Sequence, residues 1–282
     1  MGPVWTFTRL TLREAARSRL LLIVMVLTVL YVGLVTWGVR AVADHAPNAV
    51  AAVSSGAGIE LVAFFFGSFM LALLAVFVSG HSTKQEGESG LLQAILTKPV
   101  RRIELLAGRW LGSALLLAAW VALFTAGIVL GIGFGVGFYP PEPIRAAGLM
   151  LLEALVILTL RLLFGTFLGT LASGILPLLL WGLARVAGLV ETVGKALDIS
   201  SMVNAGIATS LVLPTDVLSR GASYFLLPNI LSLGGEDLAV SAARGNPFAS
   251  VSPIAGPMIV WAAIYVGIMF AISARIFSHR DV

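Results

Sequence analysis

Two ionisable side chains inside apolar sequence are the first candidates for chemistry. Glu153 and Arg161 fall within one long apolar run. A charge inside a membrane span is costly, and it usually marks a functional or interhelical contact. On a helix the two residues would be separated by about 80° and roughly 12 Å along the axis, so we expect no direct pair between them. Two interpretations of Glu153 stay open: it contacts another helix or lines a conduit, or it lies near water in the outer half of the membrane. Arg161 is expected to reach toward the cytoplasmic surface.

Residue patterns typical of catalysis are absent from the sequence. There are no cysteines, the three histidines are far apart, and neither an HExxH nor a GxSxG pattern occurs. No GxxxxGK[ST] loop is present to hold a nucleotide. Alternating glycines in an apolar run are instead typical of close helix packing: Gly131, Gly133, Gly135 and Gly137. We therefore predict no catalytic residue, no metal site and no cofactor on this chain.

Composition places the chain in a membrane. Of its 282 residues, 59% are hydrophobic and 11% are charged, and the mean hydropathy is +1.00. A soluble domain could not hide so much apolar surface. Disorder, nucleic-acid binding and a free-standing cytosolic enzyme are excluded as main interpretations. The fold class predicted is an all-α integral membrane protein.

Six apolar runs are long enough to cross a bilayer, which needs about 20 residues per helix. The run from 146 to 190 would be about 67 Å long as one helix, so it must contain two spans. Helix-breaking or small residues mark the turn between them: Gly165, Gly169, Gly174 and Pro177. The predicted spans are residues 20–39, 61–79, 110–135, 146–168, 171–190 and 254–276.

Basic residues predict the orientation. One side of the predicted topology carries eleven Lys and Arg and the other carries six, with Arg161 counted on neither. The positive-inside rule therefore places both termini in the cytoplasm. Residues 1–19 carry Arg9, Arg13 and Arg17 on one helical face, which indicates an amphipathic elbow helix at the inner surface. Residues 191–253 form an external region, whose short helices either lie on the surface or dip in and return.

The cytoplasmic loop at residues 80–109 has the most informative pattern. An acidic start leads into four apolar residues on one helical face, and a proline then ends that helix before a basic pair. An apolar face of this kind suits docking into a groove of a partner protein. The candidate coupling residues are Glu86, Glu88, Leu91, Leu92, Ile95, Leu96, Pro99 and Arg102.

This loop resembles the permease subunits of type-2 ATP-binding-cassette (ABC) exporters. Family members carry an acidic pair, a glycine, an apolar helix, a proline, an arginine and a glycine-basic step before the third span. The matching positions are Glu86, Glu88, Gly90, Leu92, Leu96, Pro99, Arg102, Gly108 and Arg109. The chain departs at Leu91, where the family often has threonine, and at Arg109, where lysine is common. Neither difference changes the charge pattern or the amphipathic face.

The resemblance implies a transport subunit that is not itself an enzyme. It implies a second permease copy, identical or related, and cytoplasmic ATPase subunits that bind ATP and magnesium. It also implies a substrate route between the two permeases, chiefly near the first, second and fifth spans, with export from the cell. The expected location is the cell membrane, as a multi-pass protein of the bacterial inner membrane. The alternatives are an ion-coupled secondary transporter, which inverted repeats would favour, and a membrane-embedded enzyme.

Overall fold

In a computed structural model, residues 3–47, 49–78, 102–137, 139–226 and 253–278 are described. Over these ranges the chain is helical and contains no strand. The helices are α1 Pro3–Ala16, α2 Arg19–Asp44, α3 Ala49–Val78, α4 Arg102–Val136, α5 Pro143–Phe167, α6 Thr170–Ala196, α7 Ser200–Val212, α8 Thr215–Leu226 and α9 Gly256–Ser278. The all-α prediction is confirmed.

Six of these helices are long and apolar enough to cross a membrane, as predicted from the sequence. Their apolar segments are Leu21–Asp44, Gly58–Val78, Ile103–Val136, Pro143–Phe167, Thr170–Lys195 and Gly256–Ser278. Helix α4 has 35 residues, about 52 Å of helix, so it must tilt or project beyond the hydrocarbon core. Residues 102–109, which we assigned to the cytoplasmic loop, form the first two turns of α4.

A short turn separates α5 from α6. Helix α5 ends at Phe167 and α6 begins at Thr170, so only Leu168 and Gly169 connect them. Of the predicted turn markers, Gly169 lies in the turn, whereas Pro177 lies inside α6. Such a short connection makes α5 and α6 neighbours along their length, which places side chains from both helices in contact.

Helix α1 packs on the beginning of α4 through two glycines. A Cβ at Gly108 would lie 2.7 Å from the carbonyl oxygen of Val4, and a Cβ at Gly112 would lie 2.8 Å from Cβ of Thr11. The Thr8 hydroxyl donates a hydrogen bond to the Gly108 carbonyl oxygen at 3.1 Å. Residues 3–16 therefore form the predicted helix, held against α4 by close backbone approach. Its position at the membrane surface stays a prediction.

Between the fifth and sixth spans the chain forms two short helices. Helices α7 and α8 meet at 99° around Leu213 and Pro214. Helix α6 continues to Ala196, past the predicted end of the fifth span at residue 190. The short helices predicted for the external region are therefore present at residues 200–226, and α8 packs against α5 and α6.

Candidate functional site

Glu153 lies at the centre of a buried polar site in α5. Its side chain is 0% exposed, and it accepts hydrogen bonds from three residues on two other helices. Trp181 Nε1 and Arg185 Nη2 of α6 each donate to Oε1 at 2.9 Å. The Ser68 hydroxyl of α3 donates to Oε2 at 3.2 Å and lies 3.2 Å from the Ser219 hydroxyl of α8. Glu153 thus makes an interhelical contact, which is one of the two alternatives predicted for it.

Arg185 links Glu153 to a second carboxylate. Its Nη1 atom lies 3.6 Å from Oδ1 of Asp216 in α8. The guanidinium also lies over the Trp181 ring, with 5.0 Å between Cζ and the ring centroid, and 5.7 Å from the centroid of Phe65. A planar guanidinium is suited to pair with carboxylates while it stacks on aromatic faces. Arg185 therefore joins α5, α6 and α8 in one contact.

The ion pairs continue along α6 and α8 toward the exposed end of the site. Arg220 Nε lies 2.7 Å from Asp216 Oδ2, and Arg220 Nη2 donates to Glu191 Oε2 at 2.9 Å. Lys195 Nζ donates to Glu191 Oε1 at 2.6 Å, and the Lys195 side chain is 60% exposed. We call Glu153, Arg185, Asp216, Arg220, Glu191 and Lys195 the ionic cluster. Three carboxylates and three cations alternate in it, so the charges are balanced.

Two glycines make room for the cluster. The Asp216 carboxylate occupies the space that a side chain at Gly188 would need. The Glu191 side chain likewise lies against Gly206 of α7. Glycine is required where another group approaches a helix backbone this closely. The glycines of α6 and α7 thereby allow α7 and α8 to pack close enough for the ion pairs to form.

The cluster is suited to holding helices together. Burying several charges costs free energy that is recovered only when each charge is paired and hydrogen-bonded. Both carboxylate oxygens of Glu153 accept hydrogen bonds, and the donors lie on α3 and α6. Across the residues that the structure describes, no three His, Cys, Asp or Glu side chains could hold a metal ion together. The arrangement therefore joins the short helix α8 to the membrane-spanning helices α5 and α6.

Arg161 occupies a separate site at the other end of α5. The residue is 3% exposed, and Nη1 donates to the Ser173 hydroxyl of α6 at 2.5 Å. Helix α6 turns back two residues after α5 and presents Ser173 to the guanidinium, so Arg161 is buried between the two helices. Its reach toward the cytoplasmic surface stays a prediction. As predicted from their spacing, no contact joins Glu153 and Arg161.

Sequence reasoning missed the partners of Glu153. We counted Arg185, Lys195 and Arg220 as external charges, although Arg185 lies within the predicted fifth span at 171–190. The sequence carried one signal that could have indicated these partners, namely the spacing of three charged residues on one apolar helix: Arg185, Glu191 and Lys195. Glu60 was also missed, because the predicted span began one residue after it. Glu60 is 1% exposed in α3, and within the described part of the chain its carboxylate oxygens have no hydrogen-bond partner.

Most of the predicted coupling residues lie outside the described residues: Glu86, Glu88, Leu91, Leu92, Ile95, Leu96 and Pro99. Arg102 is the first residue of α4. Their proposed role as a docking surface stays a prediction.

Comparison with known proteins identifies similar chains. The profile of the ABC-2 family transporter proteins matches residues 5–173, more than half of the sequence. The chain is 28% identical to a probable ABC transporter permease protein NosY of Pseudomonas aeruginosa over 310 aligned positions, which cover 100% of both proteins. It is 29% identical to the probable permease NosY of Stutzerimonas stutzeri over 151 positions, which cover 49% of this chain and 51% of the relative.

Proposed function

The chain belongs to the ABC-2 family of transporters, and we propose that it supplies the translocation path of an exporter powered by a separate ATPase. The observation that carries this proposal is the family match over residues 5–173 together with six membrane helices. The similarity to two probable ABC transporter permeases supports a transport subunit. ATP and magnesium bind to the partner ATPase, because the sequence has no phosphate-binding loop of its own. Neither an ion-coupled carrier nor a membrane-embedded enzyme is needed to explain these features.

A second permease copy, identical or related, completes the path. The first and fifth spans, α2 and α6, carry long rows of exposed apolar side chains, including Leu30, Trp37, Leu179 and Leu183. In a bilayer such rows face lipid or another helix bundle. The route is proposed to run between the two copies near the first, second and fifth spans, with export toward the outside.

The loop at residues 80–109 couples the permease to the ATPase. Its apolar face, Leu91, Leu92, Ile95 and Leu96, fits a groove on a partner protein. Burying two or three such side chains gives roughly 4 to 8 kcal/mol before ordering costs. Helix α4 begins at Arg102 and continues unbroken to Val136, so a displacement at its start is carried along the span. Close packing of α1 on Gly108 carries the same displacement to α1.

Substitutions on the apolar face test the coupling role. We expect the double variant Leu92→Asp, Ile95→Asp to insert in the membrane but to lose its ATPase on co-purification, because aspartate removes the apolar contact. The matched control Leu92→Met, Ile95→Val keeps the face apolar and should retain the ATPase and transport. A double Asp variant that holds its ATPase and transports normally would show that the face only lies on the inner leaflet.

A further inference from the structure

Glu60 is a buried carboxyl that takes no part in the ionic cluster. It is the only charged residue of α3, and it is 1% exposed. Both of its oxygens are buried, and within the described part of the chain neither has a hydrogen-bond partner. An ionisable group inside a membrane helix is costly, and such groups commonly mark the path of an ion or a substrate. Glu60 therefore lies where a ligand would supply the missing positive charge.

Glu60 faces the contact between α3 and α4. One turn before it, a Cβ at Gly56 would lie 3.1 Å from a methyl group of Val136 in α4. One turn after it, the Phe64 ring packs edge to face with Phe124 of α4, with 5.8 Å between the ring centroids. Residues four apart lie on one face of a helix, so the Glu60 carboxyl is directed toward the same contact.

The helices around this contact place no cation beside the carboxyl. Neither α2 between residues 20 and 39 nor α4 after residue 109 carries a charged side chain. Arg40, the next residue of α2, is exposed and makes no ion pair with Glu60. The cations of α6 and α8 that the structure describes pair within the ionic cluster. Glu60 thus differs from Glu153, whose positive partner is built into the fold.

Aromatic rings lie within about one turn of Glu60. The Phe124 ring is stacked with Trp120 of the same helix and with Tyr31 of α2, at centroid distances of 5.0 and 6.4 Å. The Tyr31 hydroxyl donates to the carbonyl oxygen of Ala63, three residues after Glu60. We call these rings the ring group: Tyr31, Phe64, Trp120 and Phe124. Because ring faces attract cations, the carboxyl and the ring group favour the same kind of ligand.

The chemistry of these groups selects an organic cation. A magnesium or calcium ion takes about six or more oxygen ligands. In the part of the chain that the structure describes, no three His, Cys, Asp or Glu side chains could hold a metal ion together. A lipophilic organic cation is bound instead by one carboxylate and aromatic faces, and its apolar body suits the apolar surroundings between membrane helices.

We propose that Glu60 and the ring group bind a lipophilic organic cation, of the quaternary ammonium or phosphonium type, in the translocation path. The inference rests on the proposed function, which routes the substrate near the first and second spans, α2 and α3. Glu60 is closed off in this structure, so a cation reaches it only when α2 moves away from α3 and α4. Helix α2 is suited to this movement because it buries a smaller share of its apolar segment than any of the other five spans.

Binding of radiolabelled tetraphenylphosphonium to the purified full-length chain, in detergent and without an ATPase, tests the proposal. Tetraphenylborate is the matched probe, because it carries the same four phenyl groups and the opposite charge. We expect the wild-type protein to bind the phosphonium about tenfold or more tightly than the borate, and Glu60→Gln to lose about tenfold in phosphonium affinity. Phe64→Leu should lose about threefold, since one ring face is removed. Glu142→Gln is the matched control, because it removes a carboxylate from an exposed ion pair and should leave binding unchanged.

The melting temperature of Glu60→Gln without ligand is a second measurement. A carboxyl that is kept for binding loses no partner on substitution, so we expect the melting temperature to stay the same or to rise. A melting temperature below that of the wild type would show that Glu60 has a structural partner, and it would overturn the proposal.

Two binding results would also overturn it. Wild-type protein that binds neither probe, or both equally, excludes a cation site, and that measurement needs no variant. Equal phosphonium affinity of Glu60→Gln and the wild type excludes Glu60 as its counter-charge. Because no ATPase is present, these outcomes are separate from those that test the proposed function. A chain that binds the phosphonium through Glu60 but associates with no ATPase would contradict only the proposed power source.

Discussion

At the scale of single residues, the buried carboxylate of Glu153 illustrates how a charge is kept inside a membrane helix. The buried charge is tolerated because side chains of two other helices donate three hydrogen bonds to the carboxylate. The donors are Trp181, Arg185 and Ser68. Removing one member of a buried ion pair is costly because it leaves the other charge uncompensated. Glu153 and Arg185 should therefore behave as one unit on substitution.

We expect Glu153→Gln to lower the free energy of unfolding by about 3 kcal/mol, because Arg185 loses its closest carboxylate. Transport should fall as well, while the permease still assembles with its ATPase. Glu142→Gln is the control, since the Glu142–Arg145 pair is exposed and is worth less than about 1 kcal/mol. Thermal unfolding of both variants is measured together with that of Arg185→Gln and of the double variant Glu153→Gln, Arg185→Gln, which completes a double-mutant cycle. Additive effects in that cycle would contradict the coupling.

At the scale of helices, close backbone approach sets the position of α8. The ion pairs of Asp216 with Arg185 and Arg220 form only because Gly188 leaves the surface of α6 open beside the carboxylate. A larger residue at Gly188 would push α8 away and lengthen both ion pairs. The packing of α8 on α6 therefore depends on a residue that carries no charge itself.

Gly188→Ala tests this dependence directly. The added methyl group collides with the Asp216 carboxylate, so we expect a loss of about 1 to 3 kcal/mol in unfolding free energy. Gly182→Ala in the same helix is the matched control, because nothing lies within 4 Å of its added Cβ. The control should be neutral or slightly stabilising, since alanine favours helix. Equal melting temperatures for the two variants would argue against the close approach.

At the scale of the whole molecule, the charge distribution predicts the sidedness of the protein. Eleven basic residues on one side and six on the other predict that both termini lie in the cytoplasm. Arg185 lies in a helix and pairs with Glu153, so removing it from the smaller count makes the difference larger. The ionic cluster then lies toward the outer side and Arg161 toward the inner side.

Cysteine labelling checks this orientation, because the chain has no native thiol. A cysteine introduced by Ser232→Cys should react with an impermeant reagent added to intact cells. One introduced by Ser278→Cys, at the end of α9, should react only after the membrane is opened. The reverse pattern would place the termini outside and would remove the loop at 80–109 from contact with an ATPase.

The sequence alone determined the membrane class, the number of spans and the short helices between the last two. These properties depend on local runs of residues, since about 20 apolar residues suffice to cross a bilayer whatever their neighbours are. Glu153 and Arg161 could be selected for the same reason, because a charge in an apolar run is visible without a fold. Their partners could not be selected from the sequence, because Glu153 contacts Arg185, which is 32 positions away, and Ser68, which is 85 positions away. Only tertiary packing, with Gly188 leaving room for Asp216, brings these charges together, because the pairing depends on helix rotation and spacing that no local pattern records.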